Sequence, residues 1–523
     1  MIQKVILLFN TCKKLKSVQI FYQVYYRVKK TFYLVDNKLD VEGNNIDFIC
    51  CYVESNIKRI DYNTFNFLNI IHSFDDAIDW NFMEYGKLWN YNLEYFNYLD
   101  QEDLTIDRKV ELINDFYDFS IKNKRVLEPY PVSLRSINII KFATKEGLNK
   151  EFFIGYTYQE LQFLHANYEY HILGNHLLEN CFAMILGGAF FDEQTWLNKA
   201  KRTLYKELEE QVLEDGAHFE LSPMYHQIIL YRVLELIDWY AAYSDRDEVF
   251  LAFLREKASK MLSWLEQISF RIGDIPLFND AANGITYDTS RLLHYANVLS
   301  ISSKKIPLGK SGYRSYQGIN YEIKVDYAQV GASYQPGHSH ADALGFILYY
   351  KNKPLFVEAG TSTYQIGKQR NYERSTIAHN TVVVNGLNQS EVWGGFRLGK
   401  RAKTYIEHDE KNRIKGYHDG YKHTVGNVYR EFILEDNQVV IIDAIEKSKG
   451  ECKVYFHLSE YISVLEKNDS TLILSNGVSI YFENAINFNV IKSTYAEEYN
   501  IYKEGITIIV DFVSSLKTTI TLL

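Results

Sequence analysis

Between about residues 60 and 300, apolar side chains recur every three or four positions, over 107–124, 158–191, 192–214, 223–244 and 247–268. That interval lines them along one face of a helix, and so many amphipathic helices in succession predict a helical toroid or bundle. After about Lys310 the period shortens to two, in runs such as 380–385, 437–445, 478–482 and 505–512, set off by Asn, Gly, Asp and Ser. Such alternation predicts an antiparallel β-sandwich. The two patterns meet within 300–313, where Ser, Lys and Gly collect around Pro307. The chain therefore reads as an α+β multidomain protein, with a basic, aromatic extension over 1–60, an (α/α) toroid over 61–305 and an antiparallel β-sandwich over 306–523. A length of 523 residues suffices for two large cores.

Composition narrows the function classes. Hydrophobic residues at 46%, charged residues at 24% and only 7 Pro describe a folded soluble chain rather than a disordered or fibrous one. The 42 Tyr and 31 Phe suggest a sugar-stacking surface, but Ile, Asn and Lys are equally abundant, so aromatic content decides nothing. A net charge of −9 argues against nucleic acid. It leaves acidic sugars open, because a few local cations in a cleft can hold a carboxylate. The five cysteines (Cys12, Cys50, Cys51, Cys181, Cys452) are odd in number and lack CxxC spacing, so they read as reduced thiols. A short apolar run at Val5 precedes Lys13, Lys14 and Lys16, the wrong order for a secretory signal. The expected location is the cytoplasm or the inner face of the cytoplasmic membrane, or the periplasm if a leader has been removed.

Four segments crowd polar residues where the pattern predicts burial. In His171-Ile-Leu-Gly-Asn175-His176-Leu-Leu-Glu179, helical spacing puts Asn175, His176 and Glu179 on one face with His171 stacked beneath Asn175. By itself the segment reads as well as a hydrogen-bonded core cluster. The stretch from Asp215 to His226 is a turn entering a helix started by Ser222 and Pro223, with Tyr225 and His226 in its first turn. A tyrosine there is more often packing in so Tyr-rich a chain. In Gly337-His338-Ser339-His340-Ala-Asp342, extended backbone sends His338 and His340 to one side, with Glu358 on the next strand of a hairpin. A fourth segment runs from Arg370 through Arg374 to His379 and Asn380. Histidines and a carboxylate from neighbouring strands suit zinc, the alternative being surface or strand-capping histidines.

In their order and spacing, together with the segments from Leu88 to Phe96, from Glu128 to Arg135 and from Gln389 to Trp393, these motifs resemble the heparinase II/III family of bacterial polysaccharide lyases. The resemblance implies a helical toroid followed by a β-sandwich, and β-elimination across a uronate in an acidic polysaccharide. Such a reaction removes the C5 proton and expels the C4 oxygen, so it needs a neutralised carboxylate, a base and an acid. The resemblance assigns Asn175 and His176 to the carboxylate, Glu179 to orienting His176, Tyr225 to proton transfer as base and acid, and His338 to sharing that transfer from the sandwich. Arg135, His226, Arg374 and Trp393 are the candidate sugar contacts. His340, Glu358 and His379 match the family's metal ligands, implying a structural zinc, although Glu358 stands where Asp is common. One extra methylene moves a metal by on the order of an ångström.

Two other readings remain. A glycoside hydrolase on a similar toroid would use paired carboxylates among Asp215, Glu220 and Asp280. A non-catalytic sugar-binding protein would account for the aromatics but leave Asn175, Tyr225 and His338 unexplained. Finally, residues 1–30 hold seven Lys and Arg and no acid, interleaved with Phe9, Phe21, Tyr22, Tyr25 and Tyr26. They predict either a weak peripheral membrane contact or amphipathic helices packed on the toroid.

Overall fold

The computed structural model describes residues 2–29, 32–36, 39, 41–48 and 59–522; Lys30, Cys50 and Cys51 lie outside them. The helices are α1 (Ile2–Cys12), α2 (Ser17–Val28), α3 (Lys87–Tyr95), α4 (Ile106–Lys122), α5 (Pro129–Glu146), α6 (Phe152–Ala166), α7 (Gly174–Phe190), α8 (Gln194–Gln211), α9 (Pro223–Tyr240), α10 (Glu248–Ile268), α11 (Thr289–Val298) and α12 (Lys368–Glu373). Side-chain caps fix several starts. Thr105 accepts from the Arg108 N–H at 3.3 Å, Asp247 from Val249 and Phe250, and Asp288 from Arg291. Helix α5 packs on α6 and α7, α7 on α8 and α9, and α9 on α10 and α11, the successive layering of an (α/α) toroid.

Two expectations for this half need correction. The periodic stretch 158–191 is two helices, because residues 167–173 form a turn ending in the left-handed Leu173 and Gly174. His171 therefore lies before α7 rather than beneath Asn175. Residues 59–73, expected within the helical texture, form a three-stranded antiparallel sheet (Arg59–Asp61, Thr64–Phe67, Ile70–Ser73). Leu68 and Asn69 both take positive φ at its second turn, as a tight hairpin requires, and Phe65 and Phe67 bury into the helical core.

The C-terminal half is a sandwich of two eight-stranded sheets. One carries, in spatial order, Asn487–Glu498, Ile501–Phe512, Cys452–Leu458, Lys353–Phe356, Phe346–Tyr350, Tyr321–Asp326 and Tyr313–Gln317, with Val382–Val384 also on Cys452–Leu458. The other runs Thr404–Glu410, Arg413–His418, Val428–Glu435, Gln438–Ile445, Ser515–Thr521, Ser479–Glu483, Thr471–Leu474 and Val464–Lys467. Alternate residues such as Val439, Ile441, Val454, Phe456, Ile508 and Val510 close a common core.

A smaller cluster, including Leu221, Trp264, Phe278, Tyr313 and Ile347, joins the halves. Beside it Asp215 accepts from the backbone N–H groups of Gly309 and Ser311, both at 2.9 Å, and from the Ser311 hydroxyl. The carboxylate thereby clamps the interdomain linker. The buried Lys324 ammonium donates across the junction to the Ser269 carbonyl at 2.9 Å, and burial lowers its pKa to about 8. Helices α1 and α2 also span the halves. Thr11 donates to the Leu398 carbonyl in the sandwich at 2.9 Å, while Gln19 donates to Ile172 of the toroid at 3.2 Å.

Candidate active site

Asn175, His176, Glu179, Tyr225 and His338 all line one cavity of about 1600 Å³ between toroid and sandwich. Each is held by a partner distant in sequence. Asn175, in the first turn of α7, donates its backbone N–H to Glu220 at 2.9 Å and its amide to the same carboxylate at 2.9 and 3.1 Å. That carboxylate lies so close that a Cβ on Gly174 would meet it at 2.3 Å, and Gly174 also has φ +59°. Only glycine suits both conditions.

His176 bonds through Nδ1 to Glu169 at 3.1 Å, and Asn180 holds the second Glu169 oxygen. Burial would lower the imidazolium, but the Glu169 carboxylate outweighs it and raises the His176 pKa. The expected partner of His176, Glu179, instead receives the Arg232 guanidinium at 3.0 Å. Glu179 fixes a cation in the cleft wall, and Glu169 orients the histidine.

Tyr225 enters the cavity because Ser222 caps α9, its hydroxyl accepting from the Tyr225 N–H at 3.3 Å. The phenol shares a hydrogen bond with the Tyr364 hydroxyl at 3.2 Å, and its ring stacks on His338 with centroids 3.9 Å apart. Burial pushes the Tyr225 pKa well above its ordinary value, only partly offset by the Tyr364 bond. The phenol is therefore protonated at rest.

His338 and His340 lie in a loop rather than at the head of a strand, since the strand begins at Phe346. The two rings nevertheless meet one group. His338 Nδ1 bonds one oxygen of Asp280 at 2.9 Å and His340 Nε2 the other at 2.8 Å, while Arg370 closes on the same carboxylate at 2.6 Å. Burial alone would raise the Asp280 carboxyl, yet the Arg370 charge and these hydrogen bonds hold it well below the carboxylate range. His338 Nε2 remains directed toward Glu220, 3.7 Å away.

The four candidate sugar contacts lie elsewhere. Arg135 is 1% exposed and pairs with Glu160, its guanidinium Nε at 3.0 Å, so it holds the toroid core together. His226 is buried between the His218 N–H and the Met261 carbonyl, and burial takes its pKa to about 3. Arg374 donates to the Ser339 and Gly395 carbonyls and so fixes the histidine loop. Trp393 donates to Thr11 at 3.2 Å and stacks under Arg397, anchoring α1. The paired-carboxylate reading meets the same obstacle: Asp215 is spent on the linker, Glu220 on Asn175 and Asp280 on Arg370.

For the implied zinc, His340 Nδ1, His379 Nε2, Glu358 Oε1 and Asp342 Oδ2 are all buried without a hydrogen-bond partner. The His340 and His379 rings lie 5.3 Å apart. Two imidazole nitrogens and a carboxylate oxygen fit a borderline cation. The Glu358 carboxylate is bonded through its other oxygen to His379 Nδ1, and among the described residues no three such groups converge on a ready-made metal position.

No spacing in the sequence points to Glu169 or Tyr364, and Glu220 and Asp280 stand out there only as a candidate hydrolytic pair. Lys141, Arg232 and Arg397 also line the cavity as cations.

Residues 133–305 match the family model for the heparinase II/III N-terminus, and residues 302–522 that for the heparinase II/III-like C-terminal domain. A heparin-sulfate lyase of Bacteroides stercoris is 25% identical over 343 residues, covering 58% of this chain and 48% of that protein. A heparin-sulfate lyase of Bacteroides thetaiotaomicron is 23% identical over 381 residues, covering 64% and 52% respectively. The chain spans about half the length of the curated relatives it matches. A crystal structure of heparinase III superposes with a TM-score of 0.67 at 16% identity, over 96% of this chain and 91% of that one. A mutant heparan sulfate lyase of Pedobacter heparinus gives 0.58 at 16% identity, over 91% and 86%. The toroid-and-sandwich fold is shared with both, and with the two family models spanning the toroid and the sandwich in sequence, the chain belongs to the heparinase II/III family.

Proposed function

We propose that the protein is a polysaccharide lyase that cleaves a uronate-containing polysaccharide by β-elimination, leaving a C4–C5 unsaturated uronate. The observation that carries this reading is the meeting of Asn175, His176, Tyr225 and His338 in one cavity. Carboxylate recognition falls to the Asn175 side chain, whose amide nitrogen Glu220 positions, and to the His176 ring, whose basicity Glu169 raises; both line the same cleft. Their contact draws charge from the carboxylate and makes C5–H acidic.

Hydrogen bonding divides the proton transfers. Oriented by its Nδ1 contact with Asp280, His338 takes the C5 proton at Nε2. Tyr225, held protonated by burial, donates to the departing C4 oxygen. This refines the expectation that Tyr225 serves as both base and acid. The stacked rings keep donor and acceptor beside one sugar.

The same proposal gives His340, Glu358 and His379 to a structural zinc, supported by their unpartnered buried atoms. The ion would brace the loop displaying His338. The relatives' names make heparin and heparan sulfate the first polymers to try, followed by chondroitin, alginate and bacterial exopolysaccharides. A gain in ultraviolet absorbance from the new double bond, absent in Tyr225→Phe, supports the reading. New reducing ends without absorbance would establish hydrolysis instead.

A further inference from the structure

We propose that α1 and α2 seat the protein on an anionic lipid surface, with the mouth of the cleft held beside that surface. The argument starts from α2, which carries apolar side chains on two faces. One face is used, since Tyr22 packs on Tyr170 at 4.9 Å between ring centroids and Tyr26 on His171 at 5.1 Å. The other holds Phe21, Tyr25 and Val28 at helical spacing, 63%, 40% and 76% exposed. Helix α1 adds two more exposed apolar side chains, Val5 at 60% and Phe9 at 68%. A helix packed on a globular core needs one apolar stripe. A second stripe rich in large side chains requires an occupant.

Charge selects the occupant. Lys4, Lys13 and Lys14 are exposed in the same segment, and residues 1–30 contain no acid although the chain carries −9 overall. Aromatic and aliphatic side chains accompanied by cations match the boundary between acyl chains and anionic headgroups. A second copy of the chain fits poorly, because a two-fold contact would bring this cationic patch onto itself. The helices are also firmly placed relative to the cleft. Leu8, Leu15, Ile20, Val24 and Arg27 line the cavity that holds Tyr225 and His338, so lipid on the outer face lies next to the opening.

The test uses the full chain and sedimentation with vesicles of phosphatidylcholine alone or mixed with phosphatidylglycerol, at low and high salt. Binding is expected to the mixed vesicles only, weakening by about tenfold or more as salt screens the cations. The outward-facing triple variant Phe9→Ser, Phe21→Ser, Val28→Ser and the charge variant Lys4→Glu, Lys14→Glu should each abolish it with unchanged circular dichroism and melting. None of these residues lines the cleft. Absence of binding, equal binding to both vesicle types, or binding that survives both variants overturns the proposal. So does a concentration-dependent dimer that the triple variant dissolves while vesicles bind nothing, which would assign the face to a second copy.

Discussion

Glu220 holds Asn175 by its backbone N–H and its side-chain amide at once, three hydrogen bonds between 2.9 and 3.1 Å from one carboxylate. The Asn175 amide is thereby fixed in orientation, its nitrogen turned to the Glu220 carboxylate. Glu220→Ala should lower kcat/KM by on the order of a hundredfold, the scale of a misplaced binding group, while leaving the melting temperature within a few degrees. Steady-state kinetics beside a thermal melt checks this; an active Glu220→Ala enzyme would remove the orienting role.

Tyr225→Phe removes only the phenolic oxygen from a well-packed ring. Elimination should fall by far more than tenfold, beyond about 1.4 kcal/mol of transition-state stabilisation, with substrate binding nearly intact. Retention of more than about a tenth of turnover would show that another group protonates the leaving oxygen.

The His176–Glu169 pair sets a pH window. The His176 pKa is raised, so its contribution is complete below the unfolded value near 6.5 and is lost as pH rises through the folded value. Glu169 is lowered: burial alone would raise it, but His176 outweighs that, so its contribution is present above about 4.5 and lost on acidification. Glu169→Gln should therefore move the alkaline limb of kcat/KM to lower pH. An unmoved limb in the pH profile would assign it to a different group.

His340→Ala and His379→Ala should lower thermal stability and bound metal together, since a structural ion contributes directly to folding. His338→Ala should cost activity and leave metal content unchanged. Elemental analysis of the purified proteins decides both, and wild type free of stoichiometric transition metal would rule the site out.

Much of this architecture was legible because periodicity reports local burial. The shift from three-to-four spacing to two located both halves, and Ser222-Pro223 fixed the start of α9 and hence Tyr225. The same helix explains a failure. Neighbouring residues on a helix project about 100° apart, and on α9 that offset leaves Tyr225 in the cleft and His226 in the core. Arg135 misled because a cation in a motif looks the same whether it meets a sugar or a buried carboxylate 25 residues away. Glu169, Glu220 and Asp280 act across turns or between domains, where no spacing rule connects them to the histidines and the asparagine they hold. The hairpin at Thr64–Phe67 was hidden because four residues are too few to establish a period against a helical background.

The junction around Trp264 and Tyr313 has a mechanical consequence. Its shared apolar cluster, the Asp215 clamp on the linker and the Lys324 bridge leave neither half a surface that is complete without the other. The toroid and the sandwich should consequently unfold as one cooperative unit, giving a single calorimetric transition in which the van't Hoff and calorimetric enthalpies agree. Joined in this way, the two halves would keep the cleft between them at one width.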